Sequence, residues 1–142
     1  MSDWKSDLAG IFEEKDAVRQ EQKESELARF ISGVAVPAFQ QLTTELEKHG
    51  RDVNLRMAMN SAALIVHHNG EEEMTYRIQG RTFPNGVLPY AEVRFRERKG
   101  LKFIRVETMF RSGKPDYTLA DITETEIIRN FLDHYKRHVR ND

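Results

Sequence analysis

His134 and His138 stand one helical turn apart, and of all residue pairs in the chain they come closest to a metal-binding spacing. At i and i+4 both imidazoles share one side of a helix. The zinc pattern H-E-x-x-H also needs a Glu directly after the first histidine, and Tyr135 stands there instead. His138 lies on the flank of an apolar stripe containing Ile127 and Phe131, near a helix C-terminus where an imidazole suits the dipole. His67 and His68 are adjacent in an expected strand, so they point to opposite faces and cannot share an ion. The chain has no cysteine, which excludes disulfides, thiolate metal sites and a cysteine nucleophile. No metal and no cofactor is expected.

Ser112-Gly113-Lys114 superficially resembles a phosphate loop. The first glycine of G-x-x-x-x-G-K-[ST] is missing and Pro115 follows, so the segment reads as a turn. Carboxylates pair at Asp116 with Asp121 and at Glu124 with Glu126, and run at Glu71-Glu72-Glu73. General acid–base work needs two of them in one cleft with separated pKa values. Asp121 and Glu126 are already accounted for by the start of a helix, where acidic groups suit the dipole. No catalytic residue is assigned.

Two surfaces with chemical character remain. Read with consistent alternation, Arg56, Arg77, Arg94, Arg96 and Arg105 project from four strands to one wet sheet face. Such a row can bind phosphates or nucleic acid in a salt-dependent way. Glu73, Glu92 and Glu107 interleave with it, as in ordinary cross-strand pairing, and Phe103 is the one stacking platform on that face. The other surface is at the N-terminus, where Trp4, Leu8, Ile11 and Phe12 fall at i, i+4, i+7 and i+8 of a helix. From Glu13 to Glu26 the apolar residues are Ala17 and Val18, which makes a solvated rod or a frayed spacer. An apolar cluster held off its own core by a charged spacer needs somewhere to bury. A second copy of the chain, or another protein, is the expected partner. The loop at 83–90, Phe83-Pro84-Asn85-Gly86-Val87-Leu88-Pro89-Tyr90, is a further place for a partner, although folding back over the core edge is the commoner outcome.

The elements that position these groups are organised around one hairpin. Residues 62–68 run into Asn69-Gly70 and return through Met74, Tyr76 and Ile78. Asn-Gly is the pair that most readily takes a type I′ turn. Before it, Val53, Leu55, Met57 and Met59 alternate with polar residues in a strand. After it come a loop over Gly80–Pro89, strands over Tyr90–Arg98 and Leu101–Phe110, and a short sixth strand over Asp116–Ile122. Leu27, Ile31, Val34, Ala38, Leu42 and Leu46 form one helical stripe with Phe30 and Phe39 beside it, interrupted at Pro37, where a kink or break is expected. Thr123-Glu124-Thr125-Glu126 fits a capping box for a last helix whose apolar face holds Ile127, Ile128, Phe131, Leu132, Tyr135 and Val139.

A chain of 142 residues suits one core. Residues 1–50 hold six Lys/Arg against ten Asp/Glu, whereas 51–111 hold eleven against seven, so an acidic helical part faces a basic sheet part. No apolar run nears the length of a membrane span, and the N-terminus lacks the pattern of a signal peptide. A cytoplasmic address is expected.

The fold class expected is α+β, an antiparallel five- to six-stranded meander with amphipathic helices on one face and an N-terminal helical arm. The arm takes residues 1–23 and the α+β domain residues 24–142. The function expected is a non-enzymatic interaction or assembly module, a homodimer in which Trp4, Leu8, Ile11 and Phe12 supply the contact. Nucleic-acid or anionic-ligand binding through the arginine face is the first alternative. An enzyme with a small cleft between sheet and helices, near His138, Tyr135 and Asp121, is the second.

Overall fold

The computed structural model describes residues 4–84, 86–96, 102–111 and 119–139. In order they form α1 (Trp4–Phe30), a π-helical turn (Ile31–Ala35), α2 (Val36–Lys48), β1 (Asp52–Ala58), β2 (Ser61–His68), β3 (Glu71–Phe83), β4 (Gly86–Arg96), β5 (Phe103–Met109), a 3₁₀ turn (Leu119–Asp121) and α3 (Glu124–Val139). The sheet order is β1-β2-β3-β4-β5, antiparallel throughout. This is the expected α+β meander, with helices on one face and a helical arm leading into it.

The central hairpin turns at Asn69 (φ 53°) and Gly70 (φ 80°), the paired left-handed values of a type I′ turn. A bulge between Val66 and His67 shifts the register just before it. On the helix-facing side the register stacks Leu55, Leu64, Tyr76, Val93 and Val106 in one row across all five strands. Phe39 from α2 and Phe131 from α3 meet Tyr76 edge-on, at centroid distances of 5.9 and 5.4 Å. All three rings are fully buried. The Tyr76 hydroxyl, pushed well above its usual pKa by burial, donates to Asn130 Oδ1 at 2.6 Å. The space between sheet and helices is thus filled by side chains, and Asp121 is exposed on its far rim.

Helices α1 and α2 are one continuous rod of 45 residues. Pro37 has no N–H, and its ring would press on the Gly33 carbonyl in a regular α-helix. The chain answers with the π turn, in which the Val36 N–H reaches back to the Ile31 carbonyl. The wider turn advances the register by part of a residue. Ala35 consequently becomes fully buried while Val34, which the plain 3.6 period places in the stripe, is only half-buried. The interruption expected near Gly33–Pro37 is this local widening.

Other boundaries moved. The expected loop over Gly80–Pro89 is mostly strand, since β3 runs to Phe83 and β4 starts at Gly86. Gly80 is there because of a close approach, as a Cβ would lie 2.7 Å from Leu27 Cδ1 and 2.8 Å from Val87 Cγ1. Its place in the ladder opposite Pro89 explains why two turn-forming residues sit inside strands. Of the expected sixth strand, Leu119–Asp121 form a 3₁₀ turn, and 116–118 lie outside the described residues. The turns expected at Lys99-Gly100 and at Ser112–Pro115, together with Asn85, Asp116 and Arg140, lie outside them too. Thr123 Oγ1 caps α3 by accepting from the Glu126 N–H at 3.2 Å. Glu126 does not complete the box, because its carboxylate is taken by Arg111 at 2.9 and 3.1 Å.

Candidate functional site

Each candidate surface follows from which side of the rod or sheet its residues occupy. Along α1 the first buried side chain among the described residues is Leu27. Trp4 is 64% exposed, Ile11 51% and Phe12 56%, and Leu8 is exposed with them. Val18, fourteen residues on from Trp4 and so close to four full turns, is also exposed. It extends the same stripe, an extension masked in the sequence by the charged residues around it.

Across the helix layer, α2 and α3 enclose a groove of about 570 Å³ lined by Leu42, Leu46, Leu132, Tyr135 and Val139, with Glu45, His49 and Arg51 at its rim. Leu132, expected inside the apolar face of α3, is 49% exposed. The α3 apolar arc is wider than the sheet can cover, so Ile127, Phe131 and His134 take the buried centre and Leu132 is left at the groove's outer edge. Two of its polar lining groups converge on one carboxylate. Tyr135 donates to Glu73 Oε1 at 2.7 Å, and Arg51 Nε donates to the same oxygen at 3.1 Å. Burial and that hydrogen bond push the Tyr135 hydroxyl up to about 12. The Glu73 hydrogen bond raises Arg51 above its ordinary value.

Arg56, Arg77, Arg94, Arg96 and Arg105 all lie on the face away from the helices, as the register requires: Arg77 pairs with Glu92, and Arg94 with Arg105. Most of that charge is answered locally. Arg94 approaches Glu72 at 3.5 Å, Arg96 approaches Glu71 at 3.6 Å and Arg105 approaches Glu92 at 4.0 Å. Arg94 also lies over the Phe103 ring at 4.0 Å, which covers the stacking platform. Arg81, whose place inside β3 the local turn-forming residues obscure in the sequence, pairs with Glu107 at 3.1 Å and lies over Tyr90 at 4.7 Å. Arg56 and Arg77 have no ion-pair partner among the described residues.

The histidines sit at the seam between sheet and α3. His138 stacks on Phe95 at 3.6 Å between centroids, and His134 stacks on His138 at 5.7 Å. Burial is the main cause holding both below the usual imidazole value, with the positive charge of Arg137 adding to it. No group of three or more possible metal ligands occurs among the described residues. A small pocket of about 220 Å³ at the sheet end brings His68, Glu72, Arg96 and His138 together from four elements. In the 83–90 segment, Val87, Leu88 and Pro89 fold onto the core, while Phe83 is exposed.

Comparison with known proteins gives a partial likeness. The chain is 26% identical over 103 residues to a glycine betaine transporter of Acinetobacter baylyi, covering 72% of this chain and 15% of the transporter. It is 26% identical over 113 residues to a high-affinity choline transport protein of Escherichia coli, covering 75% of this chain and 16% of that protein. The chain therefore spans about 15–16% of the length of the curated relatives it matches. No protein-family model matches it, and no solved structure does. Among the described residues no helix is long and apolar enough to cross a membrane.

Proposed function

We propose that this chain is a cytoplasmic, non-enzymatic assembly module that forms a homodimer through its N-terminal arm. In this reading residues 1–23 are the arm and residues 24–142 the folded unit it serves. The observation that carries the proposal is the exposed stripe Trp4, Leu8, Ile11, Phe12 and Val18 on a rod that runs without a break into α2. Leu27 lies about 35 Å along the helix from Trp4, at 1.5 Å per residue, so the stripe cannot fold back onto its own core. Burying apolar side chains of this size gains about 1.5–3 kcal/mol each, and another molecule has to supply the cover.

The likeness to a small part of choline and glycine betaine transporters supports placing the module among proteins of solute transport. There it would act as a non-spanning unit that brings copies together. Solution mass by light scattering is the test. A dimer for the full chain, and a monomer both for Phe12→Glu and for a chain starting at Glu24, is the expected result. A monomeric full chain would sink the reading.

A second reading, binding of an anion or nucleic acid on the outer sheet face, is favoured by Arg56 and Arg77, which have no ion-pair partner among the described residues. Binding that weakens with salt and is lost in Arg56→Glu with Arg77→Glu would support it.

A further inference from the structure

Among the described residues none occupies the groove between α2 and α3, and none covers the arm's stripe. We infer that each arm of the dimer docks in the α2–α3 groove of the other copy, in a reciprocal exchange. The inference rests on the self-association proposed above and names the surface that receives the arm.

Shape is the first argument. The groove is an apolar trough between two helices, and the arm presents apolar side chains at i, i+4, i+7 and i+8. That is the helix-in-groove mode, in which anchors one turn apart fill a hydrophobic furrow. Leu132 on the lip and Phe12 on the arm are each about half exposed, and each would gain apolar cover from the other. The second argument is connectivity. Arm and groove wall belong to one rod, so two rods laid side by side and antiparallel set each arm along the other copy's α2 at the same time. A two-fold axis near the middle of the rods closes the assembly with no surface left to propagate.

Charge is the third argument. Asp7 and Glu14 flank the arm's stripe on one side. The groove continues into a shallower depression bordered by Lys136, which has no ion-pair partner among the described residues. Direct pairing of two arms in parallel fits worse. Lys15 falls on the stripe between Ile11 and Val18, so a parallel pair would oppose two ammonium groups in its seam and leave both grooves open.

The absence of native cysteines makes the geometry directly testable with a short bismaleimide. Leu8→Cys and Leu132→Cys chains are prepared separately, mixed and treated. The expected product is a crosslinked pair containing one copy of each, with no product from Leu8→Cys alone. Efficient crosslinking of Leu8→Cys to itself would overturn the proposal in favour of arm-to-arm pairing. Solution mass separates the two levels of the argument. Loss of the dimer in both Phe12→Glu and Leu132→Glu, each still folded by circular dichroism, supports the groove. Loss in Phe12→Glu with a normal dimer in Leu132→Glu leaves the arm reading standing and overturns the groove. A monomeric unmodified chain overturns both. Lys136→Glu is expected to weaken the dimer about three- to fivefold, as for one exposed ion pair, and an unchanged dissociation constant counts against the charge argument.

Discussion

One rod carries two apolar stripes, and only the second is covered. From Leu27 to Leu46 the stripe lies on the sheet, with Leu27, Phe30, Ile31, Ala38, Phe39 and Leu42 buried. From Trp4 to Val18 the residues are as large and the spacing as regular, yet every one of them faces water. Amphipathic periodicity therefore says which side of a helix wants burial, while the element that buries it must come from elsewhere. In the second half that element is the sheet. In the first half the described residues of the same chain supply none.

Core truncation against arm truncation is the sharpest way to break this contrast. Phe39→Ala is expected to cost about 3–5 kcal/mol, because a fully buried ring leaves a cavity beside Tyr76. Ile11→Ala should change the stability of an isolated copy by less than about 0.5 kcal/mol. Urea unfolding measured at concentrations below dimer formation checks both, and similar values for the two would show that the arm is covered after all.

Gly80→Ala comes next. The added methyl meets Leu27 and Val87 at under 3 Å, at the place where the rod first touches the sheet. Overpacking there should cost about 1–3 kcal/mol, and a neutral result would mean that the Leu27 side chain swings away freely. Thr123→Ala removes the α3 cap and should cost about 1 kcal/mol in the same assay.

The smallest effect is one of pH. His134 and His138 have folded pKa values below the ordinary one, first because of burial. An unfolded histidine titrates near about 6.5. Between that value and the lower folded one the unfolded chain binds more protons, so stability is complete above it and falls as pH drops through the folded value. His134→Gln should flatten this part of the acid limb. If the slope between neutral pH and mildly acidic pH is unchanged, the seam does not hold His134 neutral.

Much of the architecture was legible from local signals. Asn69-Gly70 dictated its turn, alternation placed the strand faces, and Thr123 marked the start of α3. The misplaced parts share a cause. Gly80, Pro84 and Pro89 are turn-formers in isolation, but Gly80 serves the packing of Leu27, and Pro89 sits opposite it in the ladder. Glu126 fits a capping box until Arg111, fifteen residues away, takes its carboxylate. The arm's stripe was readable because it is local, whereas the α2–α3 groove is made by residues ninety positions apart in the chain, Leu42 with Leu132 among them.

By itself the sequence determined the helical segments, the five strands, their order and most of the sides they turn to the core. Those properties depend on periodicity, turn chemistry and capping, which act over a few residues. Tertiary structure alone decided the rest. It widened the helix into a π turn just ahead of Pro37 within an unbroken rod, placed His134 rather than Leu132 at the buried centre of α3, and answered most of the outer arginines with glutamates from neighbouring strands. Each of these is a competition for space or charge between segments far apart in the chain. Its outcome depends on which of them meet.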